Sequence, residues 1–229
     1  QLDPYYHVPL WPDSISLAAL PARAMLHSGV IGERDMAEVV ARSRANARAN
    51  PNAQLKGNPG IEQLLAEPTF VSPLRRHDCP PITDGASAMI IASADVAARY
   101  CKRPAWVRGI DHRMETGIIG ARDLTRSPST RIAGEKAGVA RGKVDLAELH
   151  APFSHQEIIL KDALGLGDDT AINPSGGALA ANAMMTAGLI RIGEVAQRIS
   201  SGEANRGVAH ATSGPCLQQN LVCVLEGEG

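Results

Sequence analysis

Residues 143–165 read KVDLAELHAPFSHQEIILKDALG, and the change of period inside this stretch decides the fold. Val144–Leu149 is a short, mostly apolar run and reads as a strand. His150 stands at its end, with Pro152 and Phe153 close behind. Ser154 and Glu157 have the spacing of a capping box, and Ser154–Leu164 carry an amphipathic helical pattern that stops at Gly165. A strand thus passes through a short loop into a helix. His150 is either a polar residue of the core or a group held at a strand end for chemistry.

The same alternation extends both ways. Downstream, DTAINPSGGALAANAMMTAGLIRIGEVAQRIS reads as a short strand, a Gly-rich turn and a long helix. ANRGVAHATSG follows as a strand and loop, and LQQNLVCVLEG as a final buried strand. Upstream, SPSTRIAGEKAGV reads as a helix with Ser127 or Ser129 near its cap, and PAWVRGIDHRM as a strand entered through Pro104. HDCPPITDGASAMIIAS predicts a Pro-rich turn, an apolar strand over Ala88–Ala92 and a short helix from Asp95. Alternation from about residue 88 onward implies an α/β layered fold with a mainly parallel or mixed sheet.

Residues 1–75 are mostly helix and loop and are expected to form a separate cap region. Residues 1–13 read as an extended loop, and residues 50–68 as loop with a turn at GNPG. Ser14–His27 is helical, with Pro21 expected to kink it or end its first part. ERDMAEVVARSRANARANP is the clearest helix, acidic at its start and basic towards its end, as the helix dipole favours. The boundaries expected are 1–75, 76–103 and 104–229.

The composition excludes several classes. The chain has 229 residues, 44% of them apolar and 21% charged, with a net charge of −1. No block of like charge marks a nucleic-acid or membrane surface, and no apolar run is long enough to span a bilayer. Cys79, Cys101, Cys216 and Cys223 form no CxxC pair, so neither a metal site nor a disulfide framework is implied and a reduced cytoplasmic setting is expected. Aromatics are only 3%, which leaves Ala, Val, Ile and Leu to build the core.

Three strand-end loops carry polar or reactive groups, and strand ends are where α/β sheets place their sites. The first is Leu149–Phe153, with His150. The second is Asn173–Gly177, where Ser175 precedes Gly176 and Gly177. Adjacent glycines before a helix admit close approach of a ligand, and the amides there can hold a carbonyl oxygen; a tight strand-to-helix turn explains them equally well. The third is His210–Cys216. A thiol there acts as acid, base or nucleophile if its neighbours lower its pKa, and is otherwise a small buried hydrophobe. Cys223 reads as structural. His77, His112 and His155 have no evident partner.

These blocks, in this order, resemble the thiolase superfamily, in particular the sterol-carrier-protein type of thiolase and bacterial lipid-transfer, acetyl-CoA acetyltransferase-like proteins. HDCPPITDGASAMIIAS resembles the strand that closes the first half of that fold. AELHAPFSHQEII is similar to its Asn-Glu-Ala-Phe block, INPSGGALAANAMMTAGLIRIGE to the span from Asn-x-x-Gly-Gly to Gly-His-Pro, and AHATSGPCLQQNLVCVLE to the C-terminal Cys-x-Gly block. The resemblance implies a layered αβαβα fold of two similar halves, the leading part of the first half being absent from this chain. It also implies acyl-CoA as substrate, coenzyme A entering only as substrate with no other cofactor, no metal, and a homodimer or a complex with another subunit.

By resemblance, His150 takes the Asn or His position of its block, although Ala151 replaces the acid. Cys216 takes the C-terminal Cys position, although Leu217 and Gln218 replace x-Gly. Asn182 falls where Gly-His-Pro supplies a His, so the usual base is replaced by an amide that cannot take a thiol's proton. His150, Cys216 and Asn182 are therefore the catalytic candidates, and Asn173, Ser175, Gly176, Gly177 and His210 the substrate-binding ones. The nucleophilic Cys is expected upstream of Gln1. The activity implied is Claisen condensation or thiolytic cleavage of a 3-oxoacyl-CoA in lipid or steroid metabolism. The alternatives are a retro-aldol lyase on a β-hydroxyacyl-CoA and a non-catalytic subunit of an acyl-CoA complex.

Overall fold

The computed structural model describes residues 2–227. In chain order its elements are α1 (Ser14–His27), α2 (Glu33–Asn46), α3 (Ile61–Ala66), β1 (Thr69–Val71), β2 (Leu74–Arg75), α4 (Ala94–Tyr100), β3 (Trp106–Met114), α5 (Pro128–Ala137), β4 (Leu146–Leu149), α6 (Ser154–Ala163), β5 (Ala171–Ile172), α7 (Gly177–Ala180), α8 (Ala187–Ser200), β6 (Arg206–Ser213) and β7 (Gln219–Glu226). Strands β1 and β2 form a small hairpin. The other five form one mixed sheet in the order β3-β7-β6-β4-β5. The β5-β4-β6 side is parallel, and β6-β7-β3 is antiparallel.

Side-chain alternation gives the sheet two faces, buried along β4, β6 and β7, while the edge strand β3 is mostly exposed. Ala147, Leu149, Val208, Val222 and Val224 meet Ala133 and Ala137 of α5 and Ile159 and Leu160 of α6. Leu146, Ala209, Cys223 and Leu225 meet Val195 and Ile199 of α8. Fully buried Leu149 and Leu160 each contribute about 1.5–3 kcal/mol by leaving water. Helix α5 lies so close to β3 that a Cβ on Gly109 would stand 2.1 Å from the Ala137 carbonyl oxygen, so only glycine fits there. Ala18, Ala22 and Met25 of α1 and Met36 of α2 join the same apolar cluster as α5 and α6.

The α/β expectation holds, and several local expectations do not. Helix α1 runs on through Pro21, so the proline does not end its first part. The stretch 50–68 contains α3. The long helix after the Gly-rich turn is split into α7 and α8 by residues 181–186. Ala88–Ala92 is not a strand: no described strand pairs with it, and Ile90 and Ile91 are 95% and 84% exposed. An apolar run becomes a strand only where a neighbour satisfies its backbone groups.

Candidate active site

His150 sits where β4 ends, its N–H donating to the His210 carbonyl at 3.2 Å as the last rung of the parallel ladder. His150 is 5% exposed. The Thr212 N–H donates to Nδ1 at 3.4 Å, and Nε2 lies 3.2 Å from Asn182 Oδ1. A backbone amide can only donate, so Nδ1 is the acceptor and Nε2 carries the proton. His150 therefore donates through Nε2–H to Asn182 Oδ1, and that fixes the orientation of the Asn182 amide. Burial, followed by the nearby Arg191 charge, pushes the His150 pKa down to about 4. The ring is neutral at pH 7 and acts as a hydrogen-bond donor.

The other candidates separate from this pair. Leu149 and His210 are register partners in parallel strands, so His210 points with Leu149 towards α5, opposite to the direction His150 takes from the strand end. There His210 Nε2 meets Asn220 Oδ1 at 3.0 Å, and Asn220 Nδ2 donates to Ser129 Oγ at 2.7 Å. Burial holds the His210 pKa at about 3. These contacts fit a packing role for His210.

Cys216 is 8% exposed and its thiol donates to the Leu17 carbonyl at 3.3 Å. Burial raises its pKa to about 11, which favours the small buried thiol over the reactive one among the two readings of this loop. Its backbone is left-handed, with φ of 54° at Cys216 and 55° at Leu217, a conformation that strains non-glycine residues. Arg122 holds the Cys216 carbonyl at 2.5 Å and Asn220 Nδ2 the Leu217 carbonyl at 2.8 Å. Among the described residues no hydrogen bond joins Cys216 to His150 or Asn182.

The Asn173–Gly177 loop keeps its donors for itself. Ser175 N–H and Oγ donate to the two Glu148 oxygens at 2.8 and 2.7 Å, Gly176 N–H to the Asn173 carbonyl at 2.9 Å, and Gly177 N–H to Ser175 Oγ at 3.2 Å. With these amides occupied, the loop is a tight turn and not an open cradle. Asn173, left-handed at φ 47°, accepts the Leu149 N–H at 2.7 Å and donates to Glu157 Oε2 at 2.5 Å. The turn thereby braces the β4 end that carries His150.

The expected capping box is also displaced by one residue. Phe153 is the N-cap, and its N–H donates to Gln156 Oε1 at 3.3 Å. Ser154 donates instead to Asp78 Oδ1 at 2.6 Å, and Glu157 is drawn to Arg42 and Asn173. Buried polar partners outcompete the local cap.

Sequence reasoning missed Glu148 and Arg191, a buried ion pair at 2.6 Å, and Thr83, which accepts the Asn182 N–H at 3.1 Å. An acid inside an apolar strand was the visible signal for Glu148. Nothing local marked Thr83. Among the described residues no three His, Cys, Asp or Glu side chains gather as a metal site, and no helix is long and apolar enough to cross a membrane.

No protein-family model matches the chain. It is 30% identical over 222 residues to the acetyl-CoA acetyltransferase of Methanothermobacter thermautotrophicus, covering 87% of this chain and 58% of that protein. It is 26% identical over 255 residues to sterol carrier protein 2 of Homo sapiens, covering 94% of this chain and 46% of that one. The chain thus spans about half the length of the curated relatives it matches. Solved structures share its fold, and two of them illustrate it. The Ltp2–ChsH2(DUF35) aldolase superposes with TM-score 0.77 at 20% identity, covering 92% of this chain and 63% of that one. A monomeric SCP2-thiolase-like protein type 1 from Mycobacterium smegmatis superposes with TM-score 0.72 at 18% identity, covering 92% and 50%. The fold is that of the thiolases.

Proposed function

We propose that this chain, homologous to the acetyl-CoA acetyltransferases and sterol-carrier-protein-type members of the thiolase superfamily, supplies the carbonyl-activating part of a thiolase-like acyl-CoA site. The observation that carries the reading is the hydrogen bond from neutral His150 Nε2–H to Asn182 Oδ1 at 3.2 Å. Donation to Oδ1 pulls charge through the amide and strengthens Asn182 Nδ2 as a donor. A thioester oxygen set against Nδ2 gains a stronger hydrogen bond as negative charge builds on it, the condition for transition-state stabilisation. The pair takes no proton: an amide cannot, and His150 Nε2 already bears one.

A groove of about 1000 Å³ supports an amphiphilic acyl-CoA. Val40, Leu64, Phe70 and Ile82 give it apolar walls, and Lys56 and Arg76 give it cations suited to phosphate. Its wall includes Gln54, which accepts the Thr83 hydroxyl proton beside Asn182. Coenzyme A enters as substrate, and a second copy or another subunit completes the assembly in the cytoplasm.

The favoured activity is C-acyl transfer, Claisen or thiolytic. A second reading, retro-aldol cleavage of a β-hydroxyacyl-CoA, is favoured by Asn182, an amide that cannot take a thiol's proton, at the position where the resemblance places the usual base. That reading needs no acyl-enzyme. The test is incubation of the protein with a 3-oxoacyl-CoA and, separately, a β-hydroxyacyl-CoA. New acyl-CoA with an acylated Cys by mass spectrometry supports transfer. Aldehyde or ketone release without an adduct supports the lyase. Inertness to both overturns the enzymatic reading in favour of a supporting subunit.

A further inference from the structure

We propose that Thr83 is a positioning residue for the Asn182–His150 pair, an inference that rests on the carbonyl-activating reading above. Asn182 lies in the break between α7 and α8, where no helical ladder holds the backbone. Its N–H donates to Thr83 Oγ1 at 3.1 Å, and the Thr83 hydroxyl donates in turn to Gln54 Oε1 at 2.7 Å. The N–H groups of Gln54 and Leu55 donate to the Ala180 carbonyl at 3.1 and 2.9 Å. These bonds close a ring through Ala180, Asn182, Thr83 and Gln54, tying together three segments far apart in sequence.

Thr83 is the one member whose side chain both accepts and donates within the ring. Its proton is committed to Gln54, which leaves a lone pair facing Asn182 N–H. A second observation points the same way. A Cβ on Gly85 would stand 2.9 Å from the Ala183 Cβ, so the Thr83–Gly85 segment lies directly on Asn182–Ala183. Hydroxyl and missing side chain act together to set the Asn182 backbone, and with it whether Oδ1 meets His150 Nε2. Positioning of this kind is felt in turnover more than in binding, because small displacements of a donor weaken the bond made to the developing charge.

The test compares Thr83→Val, which keeps the shape and removes the hydroxyl, with Thr83→Ser, which keeps the hydroxyl, each in the full-length protein. The His150 Nε2–H resonance is read in ¹⁵N-histidine-labelled protein, with kcat and KM on a 3-oxoacyl-CoA. The expected result is that Thr83→Val loses the protected resonance and about tenfold in kcat at little change in KM, while Thr83→Ser keeps both. A wild-type resonance in Thr83→Val overturns the inference, and so does equal loss in both variants. Should the wild type not turn over the substrate, the carbonyl-activating reading falls, and the resonance still decides the role of Thr83.

Discussion

Cys216 donates its thiol proton to the carbonyl of Leu17 across 3.3 Å, and Leu17 is the residue that Pro21 leaves without a helical donor. In an α-helix the carbonyl of residue 17 takes the N–H of residue 21, and proline has none. Helix α1 continues through Pro21 with its orphaned carbonyl met from the β6–β7 loop. Cys216→Val therefore destabilises the fold by about 1 kcal/mol, while in a Pro21→Ala background, where residue 21 donates again, the same change costs less. A double-mutant cycle by urea unfolding measures this; strict additivity would show that the two positions are uncoupled.

The same burial governs thiol chemistry. Cys79, Cys216 and Cys223 are all buried, their pKa values raised by desolvation to about 11, whereas Cys101 is half-buried at the end of α4. Iodoacetamide at pH 8 should alkylate Cys101 first and the other three only after denaturation. Rapid labelling of Cys216 in the folded protein would contradict a structural role for it.

Glu148 and Arg191 form the most deeply buried ion pair, 0% and 4% exposed, with Ser175 bonded to both. Truncating either partner strands a charge in the core and costs about 3–5 kcal/mol. The double replacement Glu148→Leu with Arg191→Met should recover much of that loss. Single variants as stable as the wild type in thermal denaturation would show that water reaches the site.

How much of this was legible in the sequence depends on how local each cause is. The β4–loop–α6 passage was readable because period and turn residues are local signals. His150 was readable as a strand-end group, and likeness to a separate thiolase block singled out Asn182, but their contact at 3.2 Å joins positions 32 residues apart and left no local sign. The Ala88–Ala92 strand failed because pairing depends on a neighbour and not on the run itself. Ser154 and Glu157 failed as a capping box because Asp78 and Arg42, distant in sequence, bind them more strongly. Thr83 stayed invisible for the same reason: its partners lie at positions 54 and 182.

Stability should fall on mild acidification. His150, His155 and His210 are at most 5% exposed, with pKa values pushed by burial to about 4, about 3 and about 3. The unfolded chain binds protons at these residues as pH drops through about 6.5, and the folded chain does not. Each histidine thus removes about 1.4 kcal/mol per pH unit below that point. Glu157, raised by burial, protonates early in the folded state and offsets part of the loss at lower pH. The denaturant midpoint should drop between pH 7 and 5, and His155→Leu should flatten the slope by about a third. A flat profile would contradict the buried neutral histidines.

The central claim is that His150 acts through Asn182 on a thioester oxygen, and infrared spectroscopy of bound ligand tests it most directly. With an acyl-CoA labelled with ¹³C at the thioester carbonyl, the bound carbonyl stretch should move to lower frequency in the wild type. The shift should shrink in His150→Phe and vanish in Asn182→Ala, with thermal stability largely kept. An equal shift in all three proteins would contradict the account.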